Sequence, residues 1–189
     1  MVIVREERPE DIGGIRAVNE KAFGQPQESQ LVDALRKNSG VLLSLVATLN
    51  GRVIGHILYS PVSISSDGEA VIGMGLGQTG LRGAGLGPMA VLPEYQRQGV
   101  GGNLIEAGNQ KLREIGYPFV VVLGHPEYYP RFGFKPASGY DIRCEWDVPD
   151  NVFMVLVMDQ SKMKNISGAA KYRQEFSSVV EVAESDKGR

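Results

Sequence analysis

Apolar residues recur along this chain at two spacings, and the two spacings mark most of its elements. Residues 2–5 read as a short strand, ended by Glu7, Arg8 and Pro9. Asp11 is placed to cap a helix whose apolar face is Ile12, Ile15, Val18 and Phe23, close to helical spacing. A second helix is predicted over 28–37, with Leu31, Ala34 and Leu35 facing inward. Two runs rich in Val, Ile and Leu, 42–49 and 53–64, flank Asn50-Gly51, the signature of a tight type I′ hairpin.

Ser65 to Gly68 is another turn, and from there to Gly87 the chain is dense in glycine. Residues 86–92 recover strand character. A helix opens at Gly99 or Gly101, with Leu104, Ile105, Gly108, Leu112 and Ile115 inward, and Gly116 and Pro118 stop it. Phe119–Leu123 is an apolar run bounded by breakers, which suits a buried strand. Residues 126–131 hold at most one or two helical turns, and 142–146 and 152–158 read as two final strands. An exposed strand at 152–158 is placed to pair with a second subunit, giving a possible homodimer. The order predicts one mixed α/β (α+β) domain, a central sheet with helices on both faces, over residues 1–160. Residues 161–189 form a C-terminal extension, partly helical or loose, in which Tyr172, Phe176, Val179 and Val180 can share a helical face.

Composition narrows the function. A chain of 189 residues with 42% hydrophobic and 22% charged residues is globular rather than disordered. The net charge of −2 gives no reason to expect nucleic-acid binding or electrostatic attachment to a membrane. Cys144 is the single cysteine, which excludes an internal disulfide and a thiolate-rich zinc site, and two histidines leave little for any metal site. No apolar stretch is long enough to span a bilayer, and the N-terminus lacks the zones of a signal peptide, so a soluble, cytoplasmic protein is the default. The 24 glycines are about twice the usual share of about 7%.

Two glycine clusters compete as anion sites. Gly75-Leu-Gly77-Gln-Thr-Gly80 matches the dinucleotide pattern, but the residues after it, Leu81 to Pro88, cannot open the helix whose amides would hold a pyrophosphate. The second cluster differs. Strand 86–92 runs through Pro93-Glu-Tyr-Gln-Arg-Gln into Gly99-Val-Gly-Gly102, directly ahead of a well-patterned helix. Successive bare amides at a helix N-terminus, with Arg97 beside them, make an anion pocket that fits a diphosphate. The Lys-Ser/Thr pair of a nucleoside-triphosphate loop is missing, so phosphoryl transfer is not implied.

The stretch Leu86-Gly-Pro-Met-Ala-Val-Leu-Pro-Glu-Tyr-Gln-Arg-Gln-Gly-Val-Gly-Gly-Asn-Leu104 resembles the acetyl-CoA motif of the GNAT superfamily of N-acetyltransferases, with the family pattern on Gln96, Gly99 and Gly101. Leu123-Gly-His-Pro-Glu-Tyr-Tyr-Pro-Arg-Phe-Gly-Phe134 resembles the later aromatic motif, and with 148–156 the likeness is to the bacterial YhbS-like branch. The resemblance spans roughly residues 1 to 160 and implies a single GNAT-like domain whose mixed sheet has two parallel strands splaying apart. It also implies acetyl transfer from acetyl-CoA, without metal, to an amine of a small molecule or protein. By similarity, the backbone of Met89, Ala90 and Val91 holds the pantetheine arm, and the amides of Arg97, Gln98, Gly99, Val100, Gly101 and Gly102 take the pyrophosphate. Tyr129 falls where the family has the acid that protonates the departing thiolate, while Tyr128, Phe132 and Phe134 read as aromatic core. The base is open: neither splayed strand carries a carboxylate, which leaves His125, Glu127, Glu94 or a chain of waters. His56 reads as a packed or edge residue. The same missing carboxylate motivates an alternative, a non-catalytic acyl-CoA-binding regulatory module.

Overall fold

Strand β1 (Ile3–Glu6) is followed by helices α1 (Ile12–Phe23) and α2 (Gln27–Lys37), then by the hairpin of β2 (Leu43–Leu49) and β3 (Arg52–Ser65). Next come β4 (Leu81–Val91), α3 (Val100–Glu114), β5 (Phe119–Leu123), the two-residue β6 (Lys135–Pro136), β7 (Ile142–Cys144), β8 (Phe153–Val157) and β9 (Gly168–Lys171). This computed structural model describes residues 1–65 and 81–177. The dinucleotide-like Gly75–Gly80, the turn at 66–68, and Val179, Val180 and the rest of the tail therefore lie outside the described residues.

The described residues divide into two compact units, each discontinuous in sequence: 1–60, 87–110 and 173–177 in the first, 61–65, 81–86 and 111–172 in the second. In the first unit β1 and β2 pair antiparallel from Ile3↔Thr48 to Glu6↔Leu45, and β2 and β3 pair antiparallel from Leu43↔Tyr59 to Leu49↔Arg52. Asn50 and Gly51 both have positive φ, 50° and 80°, as a type I′ turn demands. The Leu92 N–H donates to the Ile54 carbonyl at 2.9 Å, which ties the end of β4 to β3. Helix α3 covers one face of this sheet: a Cβ on Gly55 would meet Leu104 and Val100, and one on Gly108 would overlap the Tyr59 ring. Helix α1 covers the other face, through Asn19 against His56. Ile15, Val18, Leu35, Leu45, Ile57, Tyr59, Leu104 and Ile105 are buried between these layers.

In the second unit β4 and β5 pair parallel at Ala84↔Val120, Gly85↔Val121 and Leu86↔Val122. β8 lies antiparallel to β5 and to β6, and β9 joins the end of β3 on one side and β7 on the other. Its core is built from Val62, Ile64, Phe119, Val121, Ile142, Phe153, Val155 and Ala170.

Several expectations are corrected. Asp11 does not cap α1. Its carboxylate accepts from the Arg8 N–H at 2.8 Å and from the Arg5 guanidinium at 2.6 and 2.9 Å, so it closes the 3₁₀ turn at Pro9–Asp11 instead. The apolar stripes fray at their ends, with Ile12, Phe23 and Ile115 exposed, the last at 62%. β8 is no free edge: Met154 and Val155 pair with β5 on one side and β6 on the other, so the strand offered to a second subunit is already used. The glycine-dense stretch is strand from Leu81 onward, so β4 begins five residues before the predicted 86–92. Within the C-terminal extension, Gly168–Lys171 is strand and Gln174–Phe176 a single 3₁₀ turn, because β9 finds pairing partners on both sides.

Candidate active site

The turn between β4 and α3 is held by its own polar side chains. Gln96 Nε2 donates to the Val91 carbonyl at 3.0 Å, and Gln98 Nε2 donates to the Glu94 carbonyl at 2.8 Å. Arg97 and Gly99 both have positive φ, 59° and 85°, which turns the backbone sharply just before α3. Nothing lies within 4 Å of where a Cβ on Gly99 would sit, so conformation rather than crowding requires this glycine. The first bond of the helix runs from the Asn103 N–H to the Gly99 carbonyl at 3.0 Å. By helix geometry the N–H groups of Val100, Gly101 and Gly102 then have no acceptor inside the helix. Val100 is buried and anchors the turn, whereas Arg97, Gln98 and Gly99 are exposed. Three amides without acceptors inside the helix, the positive helix end and an exposed Arg97 form a donor set suited to an anion such as a diphosphate. Glu94 is exposed and paired with Arg52 at 3.2 Å, its carboxyl held low first by its own backbone N–H and then by Arg52. That position does not suit a base.

Of the residues expected to hold the pantetheine arm, Ala90 and Val91 are buried and Met89 half-buried. Pro88 carries no N–H.

In the second unit, β5 leads through Gly124 into the aromatic turn. The Tyr128 N–H donates to the His125 carbonyl at 3.1 Å, and a 3₁₀ turn follows over Tyr129–Phe132. Tyr129 is 7% exposed, its ring edge-on to Phe134 at 5.6 Å and to Tyr128 at 5.3 Å. A Cβ on Gly124 would overlap the Tyr129 ring. Burial pushes the Tyr129 phenol well above its ordinary value, so it stays protonated at working pH. Phe134 is core as expected, but Tyr128 and Phe132 are half-buried and lie under the Arg131 guanidinium, at 5.7 and 5.9 Å. His125 and Glu127 are exposed, and the His125 carbonyl organises the turn.

His56 is packed, as the sequence suggested, yet it belongs to a chain of hydrogen bonds that the sequence hid. Asn19 Nδ2 donates to the Ile15 carbonyl at 2.9 Å and contacts His56 Nδ1 at 3.2 Å, while His56 Nε2 lies 3.0 Å from Ser44 Oγ. Ser44 Oγ in turn donates to Glu7, whose carboxylate takes two bonds from Arg36, at 2.9 and 2.8 Å. This order puts the imidazole proton on Nε2. Complete burial pushes His56 down to about 3, against the raising influence of Glu7. Among the described residues no group of three or more His, Cys, Asp and Glu side chains is placed to hold a metal, and no helix is long and apolar enough to cross a membrane.

The mixed sheet carries a short parallel β4–β5 ladder, and the glycine-bearing turn ahead of α3 offers amides without acceptors inside the helix. Residues 40–136 match the family model described as "Acetyltransferase (GNAT) domain". The chain is 34% identical to the uncharacterized N-acetyltransferase YhbS of Escherichia coli (strain K12), over 93% of this chain and 98% of that protein. It is 40% identical to the uncharacterized N-acetyltransferase YjhQ of the same strain, over 68% of this chain and 67% of that one. The crystal structure of E. coli YhbS in complex with CoA superposes with a TM-score of 0.83, covering 93% of this chain and 92% of that one. A GNAT family acetyltransferase from Brucella melitensis in complex with acetyl-CoA gives 0.71 at 35% identity, covering 93% and 98%. This chain belongs to the GNAT acetyltransferase family.

Proposed function

We propose that the chain transfers the acetyl group of acetyl-CoA to a primary amine of a small molecule or protein. The observation that carries this is the turn at Arg97–Gly102, where a left-handed Gly99 leads into α3 and leaves its first amides without acceptors inside the helix. The relatives solved with CoA and with acetyl-CoA support it.

The amides of Arg97, Gln98, Gly99, Val100, Gly101 and Gly102 hold the diphosphate of the co-substrate, and the backbone of Met89, Ala90 and Val91 holds its pantetheine arm as an added strand. Acetyl-CoA supplies an activated acyl thioester. The amine lone pair forms the new C–N bond, the C–S bond breaks with its electrons on sulfur, and Tyr129 gives that sulfur its phenolic proton. Apolar surroundings that keep the phenol protonated also disfavour a thiolate, which narrows the gap between donor and acceptor. The incoming ammonium must first lose a proton, since its reference pKa is about 10.4. His125 is our candidate for that base, directly or through water.

The test joins binding to turnover. Acetyl-CoA raises the melting temperature while NADH and ATP do not, and a panel of primary amines stimulates thiol release. Tyr129→Phe lowers kcat by about 100-fold or more with the cofactor-induced shift intact. Equal losses in both would make Tyr129 a packing residue only. One observation favours the second reading: neither β4 nor β5 carries a carboxylate. Normal acetyl-CoA binding with no amine-stimulated release would make the chain an acyl-CoA-binding module.

A further inference from the structure

Along β4, Gly83, Gly85 and Gly87 recur at every second residue, and each is met by an aromatic ring. A Cβ on Gly83 would overlap Phe119, one on Gly85 would come within 2.6 Å of Tyr172, and one on Gly87 would lie 3.7 Å from Phe176. Phe176 is 8% exposed and belongs to the short turn Gln174–Phe176, which follows β9 in sequence and packs against α2. Helix α3, whose N-terminus carries the amides proposed to hold the diphosphate, covers the face of the first unit's sheet that bears Gly55 and Tyr59.

A clasp of polar groups fixes this turn. Arg173 reaches the Asn38 carbonyl at 3.2 Å and Glu175 at 3.0 and 3.2 Å, and Asn38 Nδ2 donates to Glu175 at 3.0 Å. The Glu175 side chain is 5% exposed, and Arg173 holds its carboxyl below the usual range. The clasp also needs Gly40, where a Cβ would lie 2.5 Å from Arg173 Nε and 2.9 Å from Leu35 Cδ2.

We infer that Phe176, clamped over Gly87 by Arg173, Glu175 and Asn38, is the acceptor-selecting wall of the transfer site and restricts it to amines unbranched at the carbon bearing nitrogen. This rests on the acetyl-transfer reading, in which the thioester lies along Met89–Val91. Gly87 precedes that segment with only Pro88 between, so the ring over Gly87 stands next to the thioester. An acceptor approaching over Gly87 meets Phe176 first. A slender primary amine passes beside the ring, whereas a methyl group on the carbon bearing nitrogen collides with it. Arg173, Glu175 and Asn38 act through Phe176 as positioning residues.

The experiment measures the dissociation constants of n-butylamine and its branched isomer sec-butylamine by calorimetry, on full-length protein saturated with CoA, so that no turnover is required. Wild type favours n-butylamine by about tenfold or more, the scale on which one methyl group is discriminated in an apolar pocket. Phe176→Ala brings the ratio close to one, Phe176→Leu retains most of it, and Arg173→Ala lowers it with Phe176 still present. The CoA-induced rise in melting temperature stays at its wild-type size in all three. A ratio near one in wild type, or one unchanged in both Phe176→Ala and Arg173→Ala, overturns the inference while acetyl-CoA binding stands. Absence of any CoA-induced shift overturns the acetyl-transfer reading, and this inference falls with it.

Discussion

Gly99 and the glycines of β4 look alike in the sequence and do opposite things in the fold. Gly99 has open space where a Cβ would sit and a positive φ of 85°. Gly83 and Gly85 lie in a strand, and their missing side chains are replaced by the rings of Phe119 and Tyr172. The first glycine shapes an exposed turn ahead of a helix. The others make room for packing, which Trp146 extends by lying tilted against Tyr172, ring centroids 5.1 Å apart. Glycine density alone therefore does not identify a binding loop. What separates the two cases is whether the vacated space is open or filled.

Substitutions should split along that line. The largest stability effect is expected at the crowded site. Gly83→Val drives two methyl groups toward the Phe119 ring, and by the usual cost of overpacking it lowers unfolding free energy by about 3 kcal/mol in urea titration. A variant as stable as wild type would mean that Phe119 moves aside freely and that the stripe is not a packing device. Gly101→Glu should do the reverse. It places a carboxylate among the first amides of α3 and weakens acetyl-CoA binding about 100-fold, roughly 2.8 kcal/mol, while the melting temperature of the free protein changes little. If that substitution instead unfolds the protein and spares affinity in what remains, the contrast between the two glycine sets collapses.

The smallest effect comes from the buried His56 chain and serves as a common reference. The unfolded histidine takes up a proton below about pH 6.5, whereas the folded one stays neutral down to about 3. The unfolded state thus binds the extra proton in that window, and stability falls as pH falls. The slope is about 1.4 kcal/mol per pH unit at most. Between pH 6.5 and 5, before most carboxylates protonate, wild type, Gly83→Val and Gly101→Glu should lose the same roughly 1.6 kcal/mol, and His56→Gln should lose much less. A His56→Gln variant with the wild-type acid slope would place the titration elsewhere.

Much of the fold was legible because its signals are local. Asn50-Gly51 specified the hairpin through its own backbone preferences, and Gly116 with Pro118 ended α3 for the same reason. The Gln96-to-Gly102 turn was readable because a strand, three glycines and an amphipathic helix follow one another without interruption. Stripe ends were misread at Ile12, Phe23 and Ile115, since periodicity shows the apolar face of a helix but not where its cover stops. The free edge expected of β8 disappeared because Lys135 and Pro136, too short a run to register as a strand, pair with it. The clasp at Asn38, Arg173 and Glu175 left no signal at all, as its members stand some 135 residues apart and carry no motif.

The sequence by itself determined the order of elements, the family motifs and the amide-lined turn, all of which depend on residues within a few positions of one another. Only the tertiary structure decided which glycines face rings and which face open space, that His56 is sealed in a chain from Asn19 to Arg36, and that Phe176 comes to rest on Gly87. Those outcomes depend on surfaces meeting across long stretches of chain, where packing rather than local backbone preference selects the partner.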